Sequence, residues 1–402
     1  MIYLDHNATT RPSEAVCAEV DRACRELWQN PSSIHRPGQA VRHAVELARA
    51  AVASLVNARP REVVLTGGGT ESIELAIRGR LATPAFAEAE FRPAVVTTAV
   101  EHAAIRDLLD ALGDAVEVRH LPLDSSGVVD PDGLNGLLDE RVAVVSVQWA
   151  NNETGAIQPI GALGRVCRER GVPLHVDGTQ WVGKMPTDFA SGTRDRAAPE
   201  HADDDGPWID LLTCSAHKFH GPKGVGALVV RRGVGLGVVR PGSQELGRRG
   251  GTENVPGILG FGAACEEAGV FLNNPSERER LAGLRDRLES AVLAAVPGAK
   301  INGPLSPGSR LWNTTNIGFP KLEAEALLLM LSERGVCASA GAACSSGSLE
   351  PSPVLLAMGI EPSYAHGSVR LSLSRETTED ELDRAAEIIA ECANRLGATL
   401  PA

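Results

Sequence analysis

Along much of the chain a short, continuous β-branched run gives way to a polar or glycine-rich loop and then to a helical pattern. EVVLTGGGTESIELAIRG (62–79), AVVTTAVEHAAIRDLLDAL (94–112), VAVVSVQWANNETGAIQPI (142–160), VPLHVDGTQWVGK (172–184) and WIDLLTCSAHKFHGPKG (208–224) repeat this rhythm. Strands that are apolar on both faces and alternate with helices predict an α/β fold with a mostly parallel sheet covered on both sides. In such sheets ligands bind beyond the strand C-termini, so the loops that close these runs are expected to face one cleft.

Past residue 231 the texture changes. The stretch RRGVGLGVVRPGSQELGRRGGTENVPG (231–257) reads as loops. Helices are expected at 258–272 and 277–295, short strands near 311–318 and 368–373, and amphipathic helices at 322–334 and 378–396. These elements predict a smaller α+β domain. The expected division is a large domain over 15–257 and a small one formed by 1–14 with 258–402. SGTRDRAAPEHADDDGPW (191–208) has loop composition and is expected to be a solvated surface insertion.

Length and composition fit this division. A chain of 402 residues exceeds one ordinary core, and its 3% aromatic content leaves Ala, Val and Leu to fill two. The net charge of −12 is spread along the chain with no Lys/Arg block, which excludes a nucleic-acid footprint. MIYLDHNATT lacks a charged stretch followed by an apolar run, and no long uninterrupted apolar window follows. The expectation is therefore a cytoplasmic protein with no membrane partner. None of the eight cysteines forms a CxxC pair or a zinc-like cluster, so no metal is expected and free thiols are. Most should behave as small core hydrophobes, Cys337 among them. Cys344 differs, lying inside the small-residue run SAGAACSSGS.

Three loops carry chemistry. In TGGGTES (66–72) glycines between a strand and a helix suit either a tight turn or the approach of an anion to free N–H groups. Asp177 of HVDG ends an apolar strand, where a carboxylate caps a helix or partners a cationic ring nitrogen. Lys218, in CSAHKFHGPKG with Ser215, His217 and His220, either reaches water or serves as a Schiff-base amine. Together, a phosphate cup, a carboxylate for a pyridinium nitrogen and an amine on successive loops match the protein's part in pyridoxal phosphate chemistry. His102 in VEHAAI can cap its helix or stack on a ring and relay protons. Asn152 and Gln180 are amides that either tie turns or bond a phenolic oxygen. Arg370, alone in the apolar strand SVRLSLSR, is either a carboxylate clamp or half of a structural ion pair.

With these residues in view, the chain resembles the pyridoxal-phosphate cysteine desulfurases, NifS/IscS-like members of the class-V aminotransferases and nearer the NifS type. The resemblance runs through YLDHNATT, NPSSIH, GGGTES, EHAAI, WANNETG, HVDGTQ, SAHKFHGPKGVGAL, RRGGTENVPGI, SLEPSPV and AHGSVRLSLSR and spans nearly the whole length. It implies a fold-type I transferase with a large domain on a mostly parallel mixed sheet and a smaller α+β domain, active as a homodimer. It implies Lys218 as the cofactor lysine, Asp177 as the ring-nitrogen partner and His102 as the stacked residue. Gly69, Thr70, Ser215 and His217 match the phosphate cup, and Thr252 is expected to reach the cup of the second subunit. Asn152 and Gln180 match contacts to the ring oxygen, Arg370 the carboxylate clamp and Cys344 the nucleophile that takes sulfur from L-cysteine and passes it to an acceptor protein such as an iron–sulfur scaffold. Ala340 and Ala342 stand where the family has serines, Ala103 where proline is common, and Gly178 where alanine is usual. A selenocysteine lyase or aminotransferase would use the same lysine without Cys344, and a non-catalytic scaffold would need neither.

Overall fold

The computed structural model describes residues 1–191, 208–340 and 351–398. Its strands, in chain order, are β1 (Ile2–Tyr3), β2 (Val63–Thr66), β3 (Ala94–Thr97), β4 (Glu117–His120), β5 (Val142–Gln148), β6 (Leu174–Asp177), β7 (Leu211–Ser215), β8 (Gly226–Val230), β9 (Lys300–Ile301), β10 (Thr314–Gly318), β11 (Val336–Cys337), β12 (Ser339–Ala340) and β13 (Ser368–Ser372).

Seven strands build one sheet in the order β2-β8-β7-β6-β5-β3-β4. β3, β4, β5, β6 and β7 pair in parallel, while β8 runs antiparallel between β2 and β7. The parallel arrangement follows from residue type. Every side chain of VAVVSVQ in β5 and of LLTCS in β7 is buried, as strands packed on both faces require. The turns after β2, β3, β5, β6 and β7 open at the same end of the sheet, and all five carry candidate residues.

A second sheet, antiparallel in the order β12-β13-β10-β9, backs the other part of the molecule. Arg370 lies at the centre of β13, opposite Asn316 of β10 and Ser339 of β12. Its core draws on Leu288, Val292, Leu327, Leu331 and Ile389 from helices Pro275–Ala295, Ala324–Glu333 and Glu379–Gly397. The last of these starts at a reciprocal cap, in which Thr378 accepts from Glu381 N–H and Glu381 accepts from Thr378 N–H. Leu4 belongs to this core too, because β1 pairs with β11.

One expected boundary falls elsewhere. Helix Val255–Leu272 buries Ile258, Phe261, Ala264, Cys265 and Ala268 in the core of the large sheet, against helices Glu14–Glu26 and Arg36–Leu55. The second core begins at Phe271, so a division at 257/258 separates this helix from the core it packs in. The helix is apolar almost all round, so its sequence carries no stripe to show which core it joins.

Cys167, Cys214, Cys265 and Cys392 are buried, as small hydrophobes are, whereas Cys17 and Cys24 are exposed. Cys337 sits in β11 as expected but is only half-buried, because its neighbour Val336 points into the core. Cys344 and nearly all of the 191–208 stretch fall outside the described residues.

Candidate active site

The strand ends converge on a cleft of about 760 Å³. It is lined by Gly69, Thr70, His102, Asn152, Asp177, Gln180, Ser215, His217, Lys218 and Arg370, which are ten of the twelve residues picked out in the sequence. Thr252 is not among them. It is exposed in the loop that precedes helix Val255–Leu272. Cys344 lies outside the described residues, but Pro351 and Pro353, beyond its segment, line the same cleft.

The anion cup forms where β2 runs into helix Gly69–Leu81. Among the described residues no side chain caps this helix, so its first N–H groups are left for a ligand. Gly68, at φ 147°, makes the turn that a side chain would strain. Behind it, a Cβ on Gly226 would stand 2.6 Å from the Cys214 carbonyl oxygen and 2.8 Å from Gly68 Cα. Thr179 Oγ1 beside the cup is buried and has no partner among the described residues.

Asp177 closes β6, and its Oδ1 accepts from the Thr179 N–H at 3.0 Å in a turn, not at a helix start. Behind it His175 is fully buried between the hydroxyls of Ser146 (2.8 Å) and Thr213 (2.9 Å). Burial pushes this imidazole down to about 4. Gly178 follows Asp177 because a Cβ there would lie 2.7 Å from Leu212 Cδ1 and 2.9 Å from the Thr213 carbonyl oxygen.

His102 caps its helix and lies on the cleft wall. Its Nδ1 accepts from the Ala104 N–H at 3.1 Å, capping helix Ala103–Leu112, while the ring lines the cleft. Burial lowers its pKa against the pull of Asp177, leaving a neutral ring with its proton on Nε2. The neighbouring Glu101 is completely buried. It accepts from Thr98 Oγ1 and the Gln148 N–H, yet burial raises it to about 8.

Lys218 follows β7 in a single turn, Ala216–Lys218. Its Nζ donates to the main-chain oxygens of Asn7 (2.8 Å) and Ala8 (2.9 Å). Burial, with the Lys218 charge acting in the same direction, takes His217 down to about 4. The N-terminal strip is therefore a wall of the cleft, tied on by Thr10, whose N–H and hydroxyl both reach the His217 carbonyl. Arg370, only 2% exposed, donates to Asp5 Oδ1 and to the Asn152 main-chain oxygen. Among the described residues its Nε is buried without an acceptor, as Asn152 Oδ1 is without a donor.

Asn7, Arg106, Glu153, Thr179 and Lys184 were not assigned a role from the sequence. Asn7, Glu153 and Lys184 stand inside the quoted motifs YLDHNATT, WANNETG and HVDGTQWVGK, which was the only available signal.

The residues fit pyridoxal phosphate. An uncapped helix N-terminus with the partnerless Thr179 hydroxyl suits a phosphate, and Asp177 opposite suits a protonated ring nitrogen. Asn152, with a buried unpaired Oδ1, and Gln180 lie within the same cleft.

The family model described as aminotransferase class-V matches residues 2–385. The chain is 44% identical to the cysteine desulfurase of Nostoc sp. (strain PCC 7120 / SAG 25.82 / UTEX 2576), over all of this chain and 95% of that protein. It is 43% identical to cysteine desulfurase NifS of Azotobacter vinelandii, over 95% and 90%. Among solved structures, a NifS-like protein superposes with a TM-score of 0.86 at 33% identity, over 98% of this chain and 100% of that one. SspA in complex with cysteine does so with 0.77 at 29%, over 94% and 100%.

Proposed function

The chain belongs to the class-V aminotransferase family, and on that basis we propose that it is a pyridoxal-phosphate-dependent cysteine desulfurase, removing sulfur from L-cysteine to leave L-alanine. One observation carries this reading beyond family membership. Lys218, Asp177, His102 and Arg370, from four separate strands or strand-end loops, line a single cleft.

Bound pyridoxal phosphate supplies an electron-withdrawing ring that stabilises negative charge at the substrate Cα. Gly69, Thr70, Ser215 and His217 hold its phosphate, with Thr179 added to the set. Asp177 keeps a proton on the ring nitrogen, His102 packs against the ring, and Asn152 and Gln180 flank its phenolic oxygen. Arg370 binds the substrate carboxylate and so fixes which Cα substituent faces Lys218. The Lys218 amine, steered by the Asn7 and Ala8 carbonyls, takes and returns the Cα proton. Cys344 supplies the accepting thiolate. The Cβ–S bond breaks, an S–S bond forms at Cys344 Sγ and Cβ gains a proton, so a thiol and a cysteine become a persulfide and an alanine.

The working unit is a homodimer. Thr252 is exposed in its own chain and completes the phosphate cup of a second copy. The persulfide then passes to a thiol of an acceptor protein, in iron–sulfur cluster assembly or another sulfur-transfer route.

Mass spectrometry after incubation with L-cysteine tests the assignment. One added sulfur on Cys344 is expected, together with alanine. Alanine formation that continues with sulfide release in a Cys344→Ser variant would refute it, and a protein that shows no cofactor absorbance would be the non-catalytic scaffold.

A further inference from the structure

Lys184 is an amine with no place in the reaction above, yet it is only 4% exposed and one residue pair away from the reacting lysine. Its Nζ donates to Gln180 Oε1 at 2.5 Å and to Asn7 Oδ1 at 2.8 Å. Both acceptors also touch the machinery. Gln180 Nε2 donates to the Asn7 main-chain oxygen at 2.9 Å, the same oxygen that receives Lys218 Nζ at 2.8 Å. On its other side Asn7 Nδ2 donates to the main-chain oxygen of Asn152 at 3.1 Å and to Thr314 Oγ1 at 2.9 Å. Asn313 Nδ2 joins Lys184 on Asn7 Oδ1 at 3.0 Å.

We propose that Lys184 is a positioning residue which fixes the orientation of the Gln180 and Asn7 side-chain amides, so that Gln180 presents its NH2 to an anionic oxygen in the cleft and Asn7 directs its own NH2 to the Asn152 main-chain oxygen and to Thr314. The argument is one of donor and acceptor supply. Lys184 offers N–H groups at these two contacts, so whatever faces it there must be an oxygen. With Oε1 held by Lys184, the nitrogen of Gln180 is the atom left toward Asn7 and the cleft, and only one of its two hydrogens is used by Asn7. The second is available to a phenolate. Two N–H bonds exist in either ionisation state of the amine, so the arrangement survives the lowering that burial and the nearby Lys218 impose on Lys184. Residues 7, 180, 184 and 218 thus form one hydrogen-bonded frame across the N-terminal strip, the β6 loop and the β7 turn. A buried amide oxygen left without a donor costs free energy, and that cost is what holds the frame in register.

This inference rests on the proposed cofactor, and the test separates the two. The probe is the absorbance of the protein loaded with pyridoxal phosphate, titrated with pH. Lys184→Met keeps the chain length and removes the donors. Lys218, Arg370 with its partner Asp5, His6 and His217 surround position 184, while His102 and Asp177 lie across the cleft, and all stay in place. Losing the donor to the anionic oxygen favours the protonated form of the bound cofactor, so the midpoint should move up by about one pH unit. Gln180→Ala should do the same, and Lys184→Met added to Gln180→Ala should move it no further. An unchanged midpoint in Lys184→Met, or full additivity in the double variant, overturns the proposal. Should Lys184→Met fail to fold, Gln180→Glu removes the same donor while still accepting from Lys184. An upward shift supports the proposal there and an unchanged midpoint refutes it. Absence of a cofactor band in the unaltered protein refutes the cofactor assignment instead.

Discussion

Arg370 and Asp5 hold each other across the wall of the cleft, guanidinium NH2 to Oδ1 at 2.7 Å, in an ion pair that joins the fifth residue to the last strand. With NH1 on the Asn152 carbonyl, the group is locked in place while its Nε remains unused. The structural ion pair is present, and it fixes the guanidinium at the position from which the proposed clamp would act. Arg370→Lys keeps a charge but loses the planar fork. We expect KM for L-cysteine to rise tenfold or more, roughly the loss of one charge-assisted hydrogen bond, with the cofactor absorbance unchanged. Steady-state kinetics beside a spectrum decide it.

His175 makes stability depend on pH. Its pKa is about 4 in the fold against 6.5 for the free side chain, so the unfolded chain binds the proton more readily. The stabilisation is complete above pH 6.5 and is lost as pH falls toward 4, by about 3 kcal/mol. Glu101 acts in the opposite sense, because its raised value of about 8 gives stability that fades as pH rises from 4.5 through 8. Urea unfolding across this range should show both limbs. In His175→Gln, which can still bond both hydroxyls, the acid limb should flatten by about one proton.

Glu245 anchors the 231–257 stretch. It is paired with Arg49 at 2.5 and 2.8 Å and also accepts from the Leu65 N–H. Glu245→Ala leaves Arg49 buried without this partner and should cost about 3 kcal/mol or more. Glu245→Gln should cost less. The urea midpoints of the two variants test the ranking.

Gly226 lies behind the phosphate cup at distances no Cβ can occupy, with main chain on both sides. Gly226→Ala should push on Gly68, lower Tm by several degrees and weaken pyridoxal phosphate binding about tenfold. Equilibrium binding to cofactor-free protein measures the second effect. Retention of wild-type affinity would mean the cup is not held from behind.

His102, Asp177 and Lys218 are legible in the sequence because each ends an apolar strand or stands in the loop that follows one, and a parallel sheet leads such positions to one end. Gly69 and Thr70 were legible as a glycine turn entering a helix. Asn7 and Lys184 were not, since their roles come from partners more than a hundred residues away or from an amide whose orientation no pattern encodes. Helix Val255–Leu272 was placed in the wrong core for a related reason, being apolar on nearly every face. Thr252 is exposed and apart from the ten residues that line the cleft.

The tie between the two ends of the chain bears on how the protein is made. Asp5 bridges to Ser372, Asn7 bonds to Thr314, and Lys218 rests on Asn7 and Ala8. A growing chain that has just released Lys218 from the ribosome has no partner strand for its own N-terminal strip, because β10 and β13 have not yet been synthesised. The N-terminal wall of the cleft therefore gains its last partners only once translation has passed residue 372, well after the loops that carry Gly69 to Lys218 have been made.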